Sequence, residues 1–465
     1  MQKQIDAFID SHKEEMLEDL KTLVRINSVR GEEKPGKPYG EGPAEALAAA
    51  QKMIADYGFA AKNYDNYVVT GDFNDKEKQL DILAHLDVVP VTEDWTVTQP
   101  FEPVVVDGKI YGRGTADDKG PAIAALYAMR AVKECGVSLS KNVRLILGSD
   151  EECGSSDLDH YYSIEQEAPM TFTPDADFPV INIEKGRLAK SFTASFESER
   201  AAGGGVLALH GGDKVNVVPA NAWACVAGVS MEDVQAAIAE DASGVKFTAE
   251  TKKAGIQITA KGIAGHASTP EVGKNAICAL LALLGKLPLG DDAQNNVLKA
   301  VAELFPYGDL CGRALGVEME DEISGKITMN LGVLDFDGVS LKGTFDSRVP
   351  ICGDDGNVTA VIASKMQEKG LTMEAGAMTP PHHVPAESEF VQTLLASYEK
   401  YSGIKGEPRA IGGGTYVHDL ERGVAFGCMS DDVDNHMHGD DEFMLVDVLV
   451  MSAKIFADAI CRLCR

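Results

Sequence analysis

Residues 79–90 read QLDILAHLDVVP, an apolar run that carries a histidine and an aspartate two positions apart and stops at a proline. Six to eight apolar-rich residues bounded by turn formers predict a buried strand. The segments on either side repeat the theme. NYVVTGDF (residues 66–73) reads as a second strand, PAIAALYAMRAVKECG (121–136) as an apolar helix, and KNVRLILGSDEECG (141–154) as a third strand ending in acids. Strands alternating with helices predict an α/β architecture, a sheet with helices on its faces.

Helical spacing from Ile5 to Val24, and again from Pro43 to Tyr57, predicts that two helices open the chain. After PDADFPVINIEKG the texture changes: Gly-rich turns separate alternating strands such as GIQITAKG and KITMNLGVLDFDG, with helices near Lys274–Leu287 and Asn357–Lys369. That stretch predicts an inserted α+β domain. A Pro-rich passage then leads into a helix at Phe390–Tyr401 and a terminal helix, so the first domain is expected to be completed by the C-terminal part. The predicted organisation is residues 1–185 and 385–465 for the interrupted domain and 186–384 for the insertion, since single cores rarely grow past about 250–300 residues.

With 72 acidic against 43 basic residues, the net charge of −29 repels phosphate backbones and argues against nucleic acid as a partner. Nine cysteines without paired spacings point to a reducing compartment, and Cys461 and Cys464 are expected to pack on the last helix. The N-terminal MQKQIDAFIDSHKEEM lacks a signal-peptide core, and no apolar run reaches the ~18–20 residues of a membrane helix. A cytoplasmic protein without a membrane partner is expected.

The chemistry-bearing residues sit at the ends of these segments. His85 and Asp87 fall on one face of a period-2 strand. Asp117 lies in the Gly-punctuated loop YGRGTADDKGP just before a helix, Glu151 and Glu152 close the strand VRLILGSD, Asp175 lies in TFTPDADF, and His438 in NHMHGDDEF. Alone, each reads more readily as a structural histidine or a surface acid. Together, two imidazoles and three carboxylates suffice for two zinc ions if Asp117 bridges, one held by His85, Asp117 and Asp175 and the other by Asp117, Glu152 and His438. Two such ions share and acidify a water, which leaves Glu151 as the base and Asp87 as the acceptor that orients the His85 ring.

The motifs AHLDVVP, GRGTADDKGP, GSDEECG, TPDADFP and HGDDE, in that order, resemble those of the dinuclear-zinc peptidases and amidohydrolases, a family that includes PepV-type dipeptidases, carnosinases, aminoacylases and desuccinylases. The resemblance covers essentially the whole chain and is closest to the PepV type. It implies a zinc-peptidase catalytic domain with a mixed central sheet flanked by helices, an inserted α+β lid, and a cis Asp117–Asp118 peptide. It also implies lid residues facing the substrate: Asn216 in KVNVVPA, His266 in GHASTP as an oxyanion donor, and Arg348 in DSRVP as the holder of a substrate carboxylate, with Gly413, Gly414 and Thr415 of IGGGTY adding donors. A lid as long as the PepV type's implies a monomer. One departure concerns specificity: Val417 and His418 follow GGGTY where the family commonly has Ala-Arg.

The function these readings predict is metal-dependent hydrolysis of dipeptides or short peptides with a free C-terminal carboxylate, using two Zn2+ per chain, with Mn2+ or Co2+ as substitutes. The alternatives are an N-acyl-amino-acid amidohydrolase of the same family and a non-catalytic metal- or peptide-binding protein.

Overall fold

The computed structural model describes residues 1–196, 204–430 and 432–465. The chain divides into two compact units, one made of Met1–Ile183, His383–Arg409 and Gly414–Arg465, the other of Glu184–His382 with Ala410–Gly413.

The first unit is built on a mixed sheet. Its central strands run in the order Ala60–Tyr64, Val68–Asp72, Asn142–Gly148, Lys78–His85, Met170–Thr173 and Gly423–Ala425. Lys78–His85 is parallel to both of its neighbours, Asn142–Gly148 and Met170–Thr173, and the last six of its residues are buried. Burial on both faces is what parallel strands require, and it explains why LDILAH reads as continuous rather than alternating. The helices Lys119–Glu134 and Val446–Leu463 bury most of their residues in the same core, Cys461 among them, and Cys464, just past the second helix, is buried there too.

Two local features differ from the sequence reading. The expected helix from Ile5 to Val24 is two, Gln2–Ser11 and Lys13–Val24, broken where His12 adopts φ −105° and ψ 15°. The strand Lys78–His85 ends at His85, so Asp87 lies just beyond it instead of on its next pleat.

The second unit carries an eight-stranded sheet, ordered Lys246–Thr251, Ile256–Lys261, Asn221–Ala227, Gly205–Gly211, Thr328–Phe336, Ser340–Val349, Gly186–Ser195 and Thr372–Met373. Every pairing in it is antiparallel. Buried and accessible residues alternate along Asn221–Ala227 and Ile256–Lys261, as expected of a sheet covered on one face. The covering helices include Ala276–Leu284, Ala293–Leu304 and Ala360–Glu368, whose buried side chains share one apolar cluster with the strands. An α/β unit with a mixed sheet and an α+β unit are thus both present.

Candidate metal centre

Parallel strands deliver their C-terminal ends to one edge of a sheet, and that edge is where α/β proteins bind ligands. Here His85 is the last residue of Lys78–His85, the turn Glu151–Cys153 follows Asn142–Gly148, and Asp175 follows Met170–Thr173. Asp117 stands just before the helix Lys119–Glu134 and is joined to Asp118 by a cis peptide. His438 arrives from the C-terminal segment in a left-handed conformation, φ 61°.

The donor atoms fall into two groups that share Asp117: His85, Asp117 and Asp175, and Asp117, Glu152 and His438, each with its atoms within 4.8 Å of one another. His85 Nε2 lies 2.9 Å from Asp117 Oδ1 and 3.6 Å from Asp175 Oδ2. His438 Nε2 lies 2.8 Å from Asp117 Oδ2 and 3.4 Å from Glu152 Oε1.

His85 Nε2 and Asp117 Oδ1 are both buried, and despite their proximity neither has a partner in hydrogen-bond geometry. Orphaned buried polar atoms are costly, and two that point into a common space lined by carboxylates fit a divalent cation that accepts nitrogen and oxygen donors.

The electrostatics agree. Burial pushes the carboxyls of Glu151, Glu152 and Asp175 upward, and neighbouring carboxylates push them further, while His85 and His438 pull against this. Burial would also raise Asp117, but the two imidazoles hold it below its usual range. Burial by itself would lower His85, yet Asp117, Asp175 and Asp87 keep it well above its ordinary value; His438 is pushed up to about 10, chiefly by Asp117 and Glu152. So many acids against two imidazoles is an arrangement that bound cations relieve.

The residues behind the donors fix their directions. His85 Nδ1 lies 3.1 Å from the carbonyl oxygen of Asp87, and the Asp87 carboxylate stands 3.5 Å away. That carboxylate instead accepts the backbone N–H groups of Glu151, at 3.2 Å, and Glu152, at 3.1 Å. Asp87 thus orients the ring through its backbone and holds the Glu151–Glu152 turn through its side chain. Asp118 Oδ2 accepts the His85 N–H at 3.1 Å.

Three contributors escaped the sequence reading. Glu442 Oε1 accepts the N–H groups of Gly114, Ala116 and Asp117 at 3.0, 3.0 and 3.3 Å, and its Oε2 takes Arg113 Nη1 at 2.7 Å, which ties the His438 segment to the Asp117 loop. Tyr416 sets its ring edgewise to His85, centroids 6.0 Å apart, and its hydroxyl donates to Asp157 Oδ2. Asp157 in turn accepts the N–H of Ser149 at 2.6 Å and of Asp150 at 3.1 Å. Glu442 and Tyr416 lay inside motifs already singled out, HGDDE and IGGGTY; Asp157 had no local signal.

In the second unit Asn216, His266 and Arg348 form a linked set. The Asn216 carbonyl accepts the Ala267 N–H at 2.9 Å, Val217 pairs with His266, and Thr328 Oγ1 connects the Ala267 carbonyl, at 3.4 Å, with the Arg348 N–H, at 3.1 Å. The His266 ring is exposed, with Nδ1 2.6 Å from Ser268 Oγ. What desolvation it has, with Arg348 and Arg187 nearby, lowers its pKa, and Asp346 acts against them. Gly413 belongs to this unit, whereas Gly414 and Thr415 belong to the first, where Thr415 caps the turn Tyr416–Asp419.

A family model described as peptidase family M20/M25/M40 matches residues 82–462. YtjP of Bacillus subtilis (strain 168) is 34% identical over 461 residues, covering 97% of this chain and 98% of the relative. A Beta-Ala-Xaa dipeptidase of Lactobacillus delbrueckii subsp. lactis is 33% identical over 465 residues, covering 98% and 97%. Among solved structures, human carnosine dipeptidase 1 superposes with a TM-score of 0.60 at 15% identity, covering 99% of this chain and 98% of its own, a likeness of fold. No helix among the described residues is long and apolar enough to cross a membrane.

Proposed function

The chain belongs to peptidase family M20/M25/M40 and is a metallopeptidase, and from that membership and the geometry of its acidic centre we propose that it hydrolyses dipeptides and short peptides bearing a free C-terminal carboxylate. The observation that carries the reading is the pair of donor groups sharing Asp117, with His85 Nε2 and Asp117 Oδ1 buried and unpartnered. His85, Asp117 and Asp175 would hold one zinc ion, and Asp117, Glu152 and His438 a second. Such ions, when bound, polarise the scissile carbonyl and acidify the attacking water.

The protein's own groups do the rest. Glu151 sits in the same turn as Glu152, and burial raises its carboxyl well above the ordinary carboxylate value, which favours its holding a proton. It removes a proton from the water and delivers it to the nitrogen of the leaving amine as the C–N bond breaks. His266 donates to the developing oxyanion, a contact worth roughly 2.7–4 kcal/mol at comparable sites. Asn216 and the backbone of Gly413, Gly414 and Thr415 add donors, and the cationic cluster around Arg348 receives the substrate carboxylate. Residues 186–384 act as the lid of a catalytic domain formed by 1–185 and 385–465, in a cytoplasmic monomer. The name of the Lactobacillus relative supports including β-alanyl dipeptides.

Purified protein supplied with zinc or manganese is expected to turn over a dipeptide panel faster than a panel of N-acyl amino acids. Glu151→Ala should lose nearly all activity while retaining two equivalents of metal. A fully active variant, or a wild type that prefers acylated amino acids, would contradict the proposal.

A further inference from the structure

The lid holds two arginines where one is expected to serve. Arg187 and Arg348 are directly opposed in the antiparallel pairing of Gly186–Ser195 with Ser340–Val349. Like charges facing each other across a ladder are destabilising. Both are held by Asp346, two residues before Arg348 and fully buried: its carboxylate receives Arg348 Nε at 2.6 Å, Arg348 Nη2 at 3.3 Å and Arg187 Nε at 3.1 Å. One carboxylate against two guanidiniums leaves a positive charge uncompensated.

The two arginines differ in what they have left to offer. A guanidinium carries five N–H donors in a planar fork. Arg348 directs three of its nitrogens to Asp346 and to the Gly412 carbonyl, and its side chain is 7% exposed. Arg187 uses Nε alone among the described residues, and its side chain is 43% exposed. The free edge of a guanidinium whose Nε is anchored is the geometry that grips a carboxylate by two parallel bonds. His266 belongs to the same cluster, since Gly412 borders both Ser268 and Arg348.

We propose that Arg187 is the residue that grips the substrate's terminal carboxylate, with Arg348 and Asp346 as the buried frame that orients it. The inference rests on the reading that the substrate carries a free carboxylate at the lid.

The test compares, for the zinc-loaded enzyme, kcat/KM on the most rapidly cleaved dipeptide of the panel and on its C-terminal carboxamide. Wild type should favour the free acid. Arg187→Gln should reduce kcat/KM for the acid about 10- to 100-fold, mainly through KM, and reduce that for the amide far less, because a charge-assisted pair is lost only with the acid. Arg187→Lys should recover part of the preference, as a point charge without the fork. If Arg187→Gln keeps the wild-type acid-to-amide ratio while Arg348→Gln abolishes it, the assignment to Arg187 falls and the free-carboxylate reading stands. A wild type with no preference for the acid overturns both.

Discussion

Asp87→Asn separates two ways in which this residue can serve the centre. Its carboxylate accepts the N–H groups of Glu151 and Glu152 at 3.2 and 3.1 Å, one to each oxygen, and it is fully buried. An amide keeps one acceptor and turns an NH2 toward the other N–H, so one backbone donor is left facing a donor beside a fully buried side chain. An unmet buried donor costs about 1–3 kcal/mol, and loss of the anionic partner weakens the bond that survives. The metal-free variant should therefore be about 2–3 kcal/mol less stable. His85 itself should be little disturbed, because its Nδ1 uses the Asp87 carbonyl at 3.1 Å, which the substitution leaves in place. Zinc affinity should fall about 10- to 100-fold at the group containing Glu152 and much less at the group of His85, Asp117 and Asp175. Calorimetric titration of the metal-free protein, with denaturant unfolding alongside, reads both quantities. Equal weakening of the two sites would mean that Asp87 acts through the His85 ring; unchanged stability would mean that the two N–H bonds contribute nothing.

Asp81 is fully buried, with Oδ2 bonded to the Ala168 N–H and Oδ1 unpartnered, and burial pushes its carboxyl up to about 6. A carboxyl raised in the folded state stabilises most below its unfolded value and loses that contribution as pH rises to about 6, so wild type should lose up to about 3 kcal/mol relative to Asp81→Asn between pH 4 and 7, and a difference independent of pH would refute this. A Cβ on Gly148 would fall 2.2 Å from the Tyr416 hydroxyl and 2.4 Å from Asp157 Oδ2, so Gly148→Ala should cost about 1–3 kcal/mol or more and displace the ring that abuts His85, whereas wild-type stability and zinc affinity would show that Tyr416 plays no part there. Zinc at a hundred times its dissociation constant should stabilise the wild type by about 2.7 kcal/mol over chelator-treated protein, and identical melting of the two would argue against a site that binds only the folded state.

Part of the candidate centre was legible in the sequence because three of its donors, His85, Glu152 and Asp175, end or follow strands whose pattern is strong. LDILAH, VRLILG and the TFT segment are apolar strands, and parallel strands in a sheet must end at a common edge, so the residues just beyond them were candidates for one site. The break at His12 was not legible, because apolar residues keep helical spacing across it. Asp157 was equally hidden, since its work is done on the N–H groups of Ser149 and Asp150 and on a tyrosine 259 positions away.

By itself the sequence determined the donor types, their order and the kind of ion they suit, because ligand chemistry belongs to side chains and strand ends to local pattern. Tertiary structure alone decided which atom of Asp87 meets the His85 ring, that Glu442 carries the Asp117 loop, and that among the described residues Arg187 meets Asp346 through Nε alone where Arg348 commits three nitrogens. Those outcomes depend on distances of a few tenths of an ångström between residues far apart in the chain, and hydrogen bonds discriminate at that scale where periodicity cannot.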